Sequence, residues 1–149
     1  MARYVDSILQ PGEKLLYSTT LHGIIYLPGM LCFAAGAACL AGFAAFPPLL
    51  VGAALFAVIG FMLALRAWFK RWTTETDVTT MRVVHKEGFI QRRTFEMSLD
   101  KVESVDVDQS VWGRLFGWGD VTIRGVGEGA KTIRMIASPI EFRNHITAR

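Results

Sequence analysis

Between residues 15 and 65 the chain carries no Asp, Glu, Lys or Arg. Pro47-Pro48 divides this stretch into two apolar runs, 23–46 and 49–69, the second running past Arg66. A bilayer core of roughly 30 Å is crossed by about 20 helical residues. Each run is long enough, and neither is tolerated as a bare helix in water. The pattern therefore predicts a helical hairpin through a membrane, with transmembrane helices over 21–46 and 49–71. A mixed segment, 1–20, precedes it, and a polar domain, 73–149, follows.

Both runs hold small residues at helical spacing. In the first these are Ala34, Ala38, Gly42 and Ala45; in the second, Ala53, Ala57, Gly60 and Ala64. Residues three or four apart share a helix face. Lipid tails are as apolar as leucine, so close backbone approach, rather than hydrophobicity, holds such helices together. The two stripes are expected to form the seam of the hairpin. Pro28 and Pro48 fall in or near the first turns, where a missing N–H breaks few helical bonds.

From residue 73 the period changes to two. Thr76, Val78, Met81, Val83 and His85 alternate with more polar neighbours, as do Phe95, Met97 and Leu99, then Val105 and Val107, then Val121 and Ile123. Such alternation predicts half-buried strands. Lys86-Glu87-Gly88 and the glycine-rich run from Gly125 to Gly129 supply turns, and 131–137 is a last strand. Six short strands with tight connections predict an antiparallel barrel or sandwich. Residues 14–19 after the Gln10-Pro11-Gly12-Glu13 turn form one more candidate strand, placed to pair with the later domain. Ser138-Pro139-Ile140-Glu141 reads as a helix start, Ser as N-cap and Glu reaching back in a capping box. Phe142 and Ile146 would then face the sheet.

Charge sets the orientation. The turn between the spans has no basic residue, whereas Arg66, Lys70 and Arg71 follow the second span and Lys14 precedes the first. By the positive-inside rule both termini are cytoplasmic, in a multi-pass protein of the cell inner (plasma) membrane. Trp68 and Trp72 alternate with those cations, as an interface anchor does when rings sit among headgroups and Lys or Arg stems snorkel. The net charge of +3 comes entirely from residues 66–149, where the signs are mixed. A nucleic-acid binder shows a denser basic stripe, so none is expected as a partner. The leader is too long and too mixed for a cleaved signal peptide. Cys32 and Cys39, seven residues apart, lie about 10 Å apart along a helix, too far to bridge.

A bent antiparallel sheet ended by one helix is the outline of a pleckstrin-homology-like (PH-like) fold. The run Gln109-Ser110-Val111-Trp112-Gly113-Arg114-Leu115-Phe116-Gly117-Trp118-Gly119-Asp120-Val121 closely resembles the signature of the bacterial membrane-flanked PH-like domains. So do Thr79, Arg82-Val83 and Gly88-Phe89-Ile90, the stretch from Glu96 to Val105, the early Pro11-Gly12-Glu13-Lys14 and the paired spans. The resemblance implies a membrane hairpin plus a mainly β, PH-like domain closed by a C-terminal helix. It implies no particular activity. Read physically, 110–116 is one to two helical turns presenting Trp112, Leu115 and Phe116 as a plug. Gly117 suits the left-handed residue ending such a helix, and Gly119 a tight entry into the next strand. Arg114 is either a surface charge or a tie to Asp106, Asp108 or Asp120.

No catalytic set is evident. His22, His85 and His145 match no metal-ligand spacing, and no nucleophile elbow or phosphate-binding loop occurs. His85 falls on the inward phase of its strand. Arg82, Lys86, Arg92, Arg93, Lys101, Arg124, Lys131 and Arg134 lie among the strands and form either a solvated face of mixed charge or a surface that suits an anionic leaflet. Glu75 and Asp77, on the first strand, stand where inositide-binding PH domains carry a basic run. The expectation is a membrane-anchored, non-enzymatic module without cofactor or metal. It would bind membrane lipids and another membrane protein, or itself, as a scaffold or accessory subunit, its exposed sheet edge accepting a partner strand. The alternative is a lipid or small-ligand sensor at the cytoplasmic leaflet.

Overall fold

The computed structural model describes residues 5, 8–88, 93–127 and 129–148. The chain divides into two compact units. One is Gly23–Arg71, and the other joins the chain before Gly23 to the chain from Trp72 onward.

In the first unit a 3-10 turn, Gly23–Tyr26, leads into α1, Leu27–Gly42, and α2 spans Leu49–Thr73. The apolar segments Gly23–Gly42 and Leu49–Thr73 have mean hydropathies of 2.0 and 2.3, and both are long enough to cross a membrane. α1 stops four residues short of 46. Beyond it the Phe43, Ala45 and Phe46 N–H groups fold back onto the Leu40 and Gly42 carbonyls.

One of the two expected seam stripes faces elsewhere. Ala34, Ala38 and Ala45 are exposed, and Gly42 sits at the helix end beside Leu49. The contact line of α1 is instead Gly29, Cys32 and Gly36. A Cβ on Gly29 would lie 3.1 Å from the Gly60 carbonyl oxygen and 3.2 Å from the Ala64 nitrogen. One on Gly36 would lie 3.4 Å from the Ala53 carbonyl oxygen and 3.7 Å from the Ala57 nitrogen. At Gly29 an alanine methyl would crowd this backbone approach, whereas at Gly36 it would make ordinary contact. The glycines, seven residues apart, therefore outcompete the alanines on the neighbouring face.

The second unit contains two antiparallel sheets. β1 (Leu15–Thr19), β2 (Glu75–Thr79), β3 (Arg82–Glu87) and β4 (Arg93–Ser98) form one, in that order. β5 (Val102–Asp108), β6 (Trp118–Gly125) and β7 (Gly129–Ala137) form the other. The predicted early strand is β1, which pairs with β2, Thr19 opposite Thr76. The ladder does not close into a barrel. A 3-10 turn, Leu99–Lys101, redirects the chain after β4, and among the described residues β4 and β5 do not pair. On the other flank the sheets touch through one bridge, Leu21 to Ile136. There His22 N–H donates to the Met135 carbonyl at 2.7 Å, and Ala137 N–H to the Thr20 carbonyl at 3.2 Å.

Val78, Val83, Met97, Val121, Ile123, Ile133 and Ile136 meet between the sheets, with Phe142 and Ile146 of α4 (Pro139–Thr147) as the lid. Met81, expected inward, lies at the β2–β3 turn and is exposed. β2 and β3 are buried on both faces, so their alternation is incomplete: Asp77 and Val84 are as buried as Val78 and Val83. The second face is shared with Arg82, which Ile8 and Glu13 of the N-terminal segment contact.

α4 does not start with a capping box. Ser138 adopts a left-handed conformation (φ 50°, ψ 57°) and caps nothing with its side chain. Its carbonyl accepts from Phe142 N–H, while Glu141 accepts from the Tyr17 hydroxyl at 3.1 Å. The tight turn out of β7, where Ser138 N–H donates to the Gly117 carbonyl, imposes that conformation.

Candidate functional site

Gln109–Asp120 builds a rigid display. Ser110 caps α3 (Val111–Phe116), its Oγ accepting from Gly113 N–H at 3.0 Å, and Gly117 ends the helix in the left-handed region at φ 75°. Gln109 Nε2 donates to the Trp118 carbonyl at 2.9 Å, tying both ends of the loop. Gly113 faces inward, where a Cβ would meet the Trp118 carbonyl oxygen at 2.6 Å. A Cβ on Gly119 would lie 2.8 Å from the Asp108 carbonyl oxygen. These contacts leave one direction for the large side chains, and it is outward.

Trp112, Leu115 and Phe116 are therefore no plug. They are 66%, 71% and 55% exposed, and Val111 is 81% exposed. Trp112 and Phe116, four apart, stack with ring centroids 6.1 Å apart. Arg114 reaches none of its candidate carboxylates: Asp106 pairs with Arg124 at 3.3 Å, and Asp120 accepts from Met135 N–H. Val111, Trp112, Leu115 and Phe116 thus give the domain an exposed apolar face.

A second feature lies across the domain. Beside β5, a groove of about 350 Å³ opens against the end of α4, lined by Leu99, Asp100, Val102, Glu103, Ser104, Val105, Ile146 and Thr147. Among the described residues β5 pairs on one side alone, with β6. A strand edge and a helix thus border one cleft.

The buried charges hold the fold together. Glu13, 7% exposed, accepts from Thr79 Oγ1 at 2.6 Å, from Arg82 Nε at 3.0 Å and Nη2 at 2.9 Å, and from Gln10 N–H at 2.9 Å. Burial pushes its carboxyl up, but the hydrogen bonds from Arg82, Thr79 and Gln10 and the Arg82 charge outweigh it, lowering the pKa to about 2. Arg82 also meets Glu96 at 2.8 Å and is held further toward its charged form. His85 is core: Thr76 Oγ1 lies 2.8 Å from Nδ1, and Glu87 Oε1 lies 2.8 Å from Nε2. Burial lowers its pKa, against the pull of Glu87. His145 stacks on Tyr17. Among the described residues no group of three His, Cys, Asp or Glu could hold a metal ion.

The remaining candidates are dispersed. Arg66, Trp68, Lys70, Arg71 and Trp72 are all exposed along the last turns of α2. Of the basic residues, Arg82, Arg124 and Lys131 face carboxylates. Arg92, Phe89 and Ile90 lie outside the described residues.

A family model described as the bacterial PH domain matches residues 24–149. The chain belongs to the bacterial PH domain family. No curated protein and no solved structure matches it. In this bacterial PH domain the matched region includes the helix pair and β2 to α4, while β1, which completes the first sheet, precedes it. The Glu13–Arg82 pair and the β5 groove carried no sequence signal. Glu13 and Arg82 are 69 positions apart, and the groove is lined by two stretches, 99–105 and 146–147, that only the fold brings together.

Proposed function

We propose that this bacterial PH domain is a membrane-anchored, non-enzymatic module that docks a protein partner, as a scaffold or accessory subunit. The β5 edge beside α4 carries the reading. An extended peptide gains main-chain hydrogen bonds by adding to an open strand edge, and side-chain pockets give specificity. Here Val102 and Val105 supply apolar contact and Glu103 a charge that favours a cationic side chain on the partner. The titratable groups that the fold brings together, Glu13 with Arg82 and His85 with Glu87, are engaged with one another, which supports a binding role over a catalytic one.

Photo-crosslinking in native membranes tests this. A photoreactive residue replacing Glu103 in the full chain is expected to capture a discrete protein, and one replacing exposed Arg134 is not. Thr147→Trp, which fills the groove from an exposed position, should abolish the adduct. Equal capture at both positions refutes the docking site. Capture of lipid at position 103 favours the alternative, a cytoplasmic-leaflet lipid sensor.

A further inference from the structure

We propose that the outward face of α3 is a lipid contact: Val111, Trp112, Leu115 and Phe116 insert into the interfacial layer of the membrane that holds the two apolar helices. This is independent of the peptide groove, and rests on those helices crossing the bilayer.

The place of α3 within its own unit supports the choice of occupant. The Gly117 carbonyl at its end accepts from Ser138 N–H at 3.0 Å. Next door, Ala137 N–H donates to Thr20, and Met135 accepts from His22 N–H. His22 immediately precedes the 3-10 turn that opens the first apolar segment. α3 is thus fastened to the corner where the chain leaves for the first helix. The second tether starts from the same end of the sheet: Thr74 alone separates α2 from β2, and Thr76 lies opposite Thr19. Tethers of one to three residues on a unit about 33 Å across keep the bilayer at a high effective concentration for anything at this corner.

Composition agrees. A Trp, a Phe and two aliphatic side chains on adjacent rows of a two-turn helix, with exposed Arg114 on the flank, match the chemistry of the headgroup boundary, where rings insert and a basic stem snorkels. The inward glycines and the Gln109 tie hold the helix in place, so little ordering is left to oppose insertion.

The test uses the full chain with Cys32→Ala and Cys39→Ala, reconstituted in phosphatidylethanolamine–phosphatidylglycerol vesicles. An environment-sensitive fluorophore is attached at Leu115→Cys or at Val126→Cys. Val126 is as exposed and as apolar, at the opposite end of β6, about 25 Å away at strand rise. Retention after a carbonate wash reports membrane crossing separately. Near-UV circular dichroism confirms the fold of each variant. Expected is a blue shift at 115 and several-fold stronger quenching by nitroxide lipids than by aqueous iodide, with the reverse at 126. Equal iodide access at both positions overturns the proposal. So does a label at 115 that is shielded from iodide, unquenched by lipid and sensitive to protein density, since the occupant is then a second copy or another protein.

Discussion

Replacing Glu13 by Gln keeps the shape of the side chain and removes its charge, leaving Arg82 with Glu96 as its remaining carboxylate. A carboxyl shifted from 4.5 to about 2 contributes about 3 kcal/mol at neutral pH, at about 1.4 kcal/mol per unit. Breaking a buried pair from one side costs a similar 3–5 kcal/mol or so. That is a large part of the roughly 5–15 kcal/mol that holds a domain together. The sign is fixed by the downward shift. The contribution is full above the unfolded value of 4.5 and is lost as pH falls through the window from there to about 2. Guanidinium unfolding of the full chain in detergent, followed by near-UV circular dichroism, measures it. Glu13→Gln should unfold about 3 kcal/mol earlier at pH 7, and the gap should narrow steadily below pH 5. A gap under about 1 kcal/mol at pH 7, or one that stays constant down to pH 3, refutes the reasoning.

Three further outcomes are expected. Gly60→Cys should form a bridge with native Cys32 under mild oxidation, because its Cβ would sit 3.2 Å from that of Cys32, close to disulfide range. Ala34→Cys with Gly60→Cys in a Cys32→Ala background should not, and thiol labelling distinguishes the two. Gly113→Ala drives a methyl against the Trp118 carbonyl and should cost about 1–3 kcal/mol, read as earlier unfolding. The His85 imidazole should titrate below its ordinary 6.5 by nuclear magnetic resonance; its share of stability is full above 6.5 and falls as pH drops past it, and a value above 6.5 overturns the assignment of a neutral core histidine.

The sequence made the strands readable because alternation reports burial directly, and it made β1 readable because a turn precedes it and the first apolar run follows it. Which way α3 points was not readable. Trp112, Leu115 and Phe116 fit an inward or an outward face equally, and the choice falls to Gly113, whose lack of a Cβ matters only once the Trp118 carbonyl is in place. The seam of the helix pair failed for a related reason: Ala34 and Ala38, like Gly29 and Gly36, are small residues at helical spacings on α1, and only backbone distance separates them. Barrel closure depended on the short turn at Leu99–Lys101, and the strand pattern on either side is unchanged by it. The conformation of Ser138 is likewise set from outside its own stretch, by Gly117.

The pairing of β1 with β2 has a consequence for biogenesis. Strand one is synthesised before either greasy segment, and its partner after both. On the proposed membrane topology, a chain that threaded the bilayer only once would leave the two strands in different compartments, with Glu13 and Arg82 stranded apart. On that topology, completion of the sheet would report correct insertion, and a misthreaded copy would be left with an unmatched β2 edge.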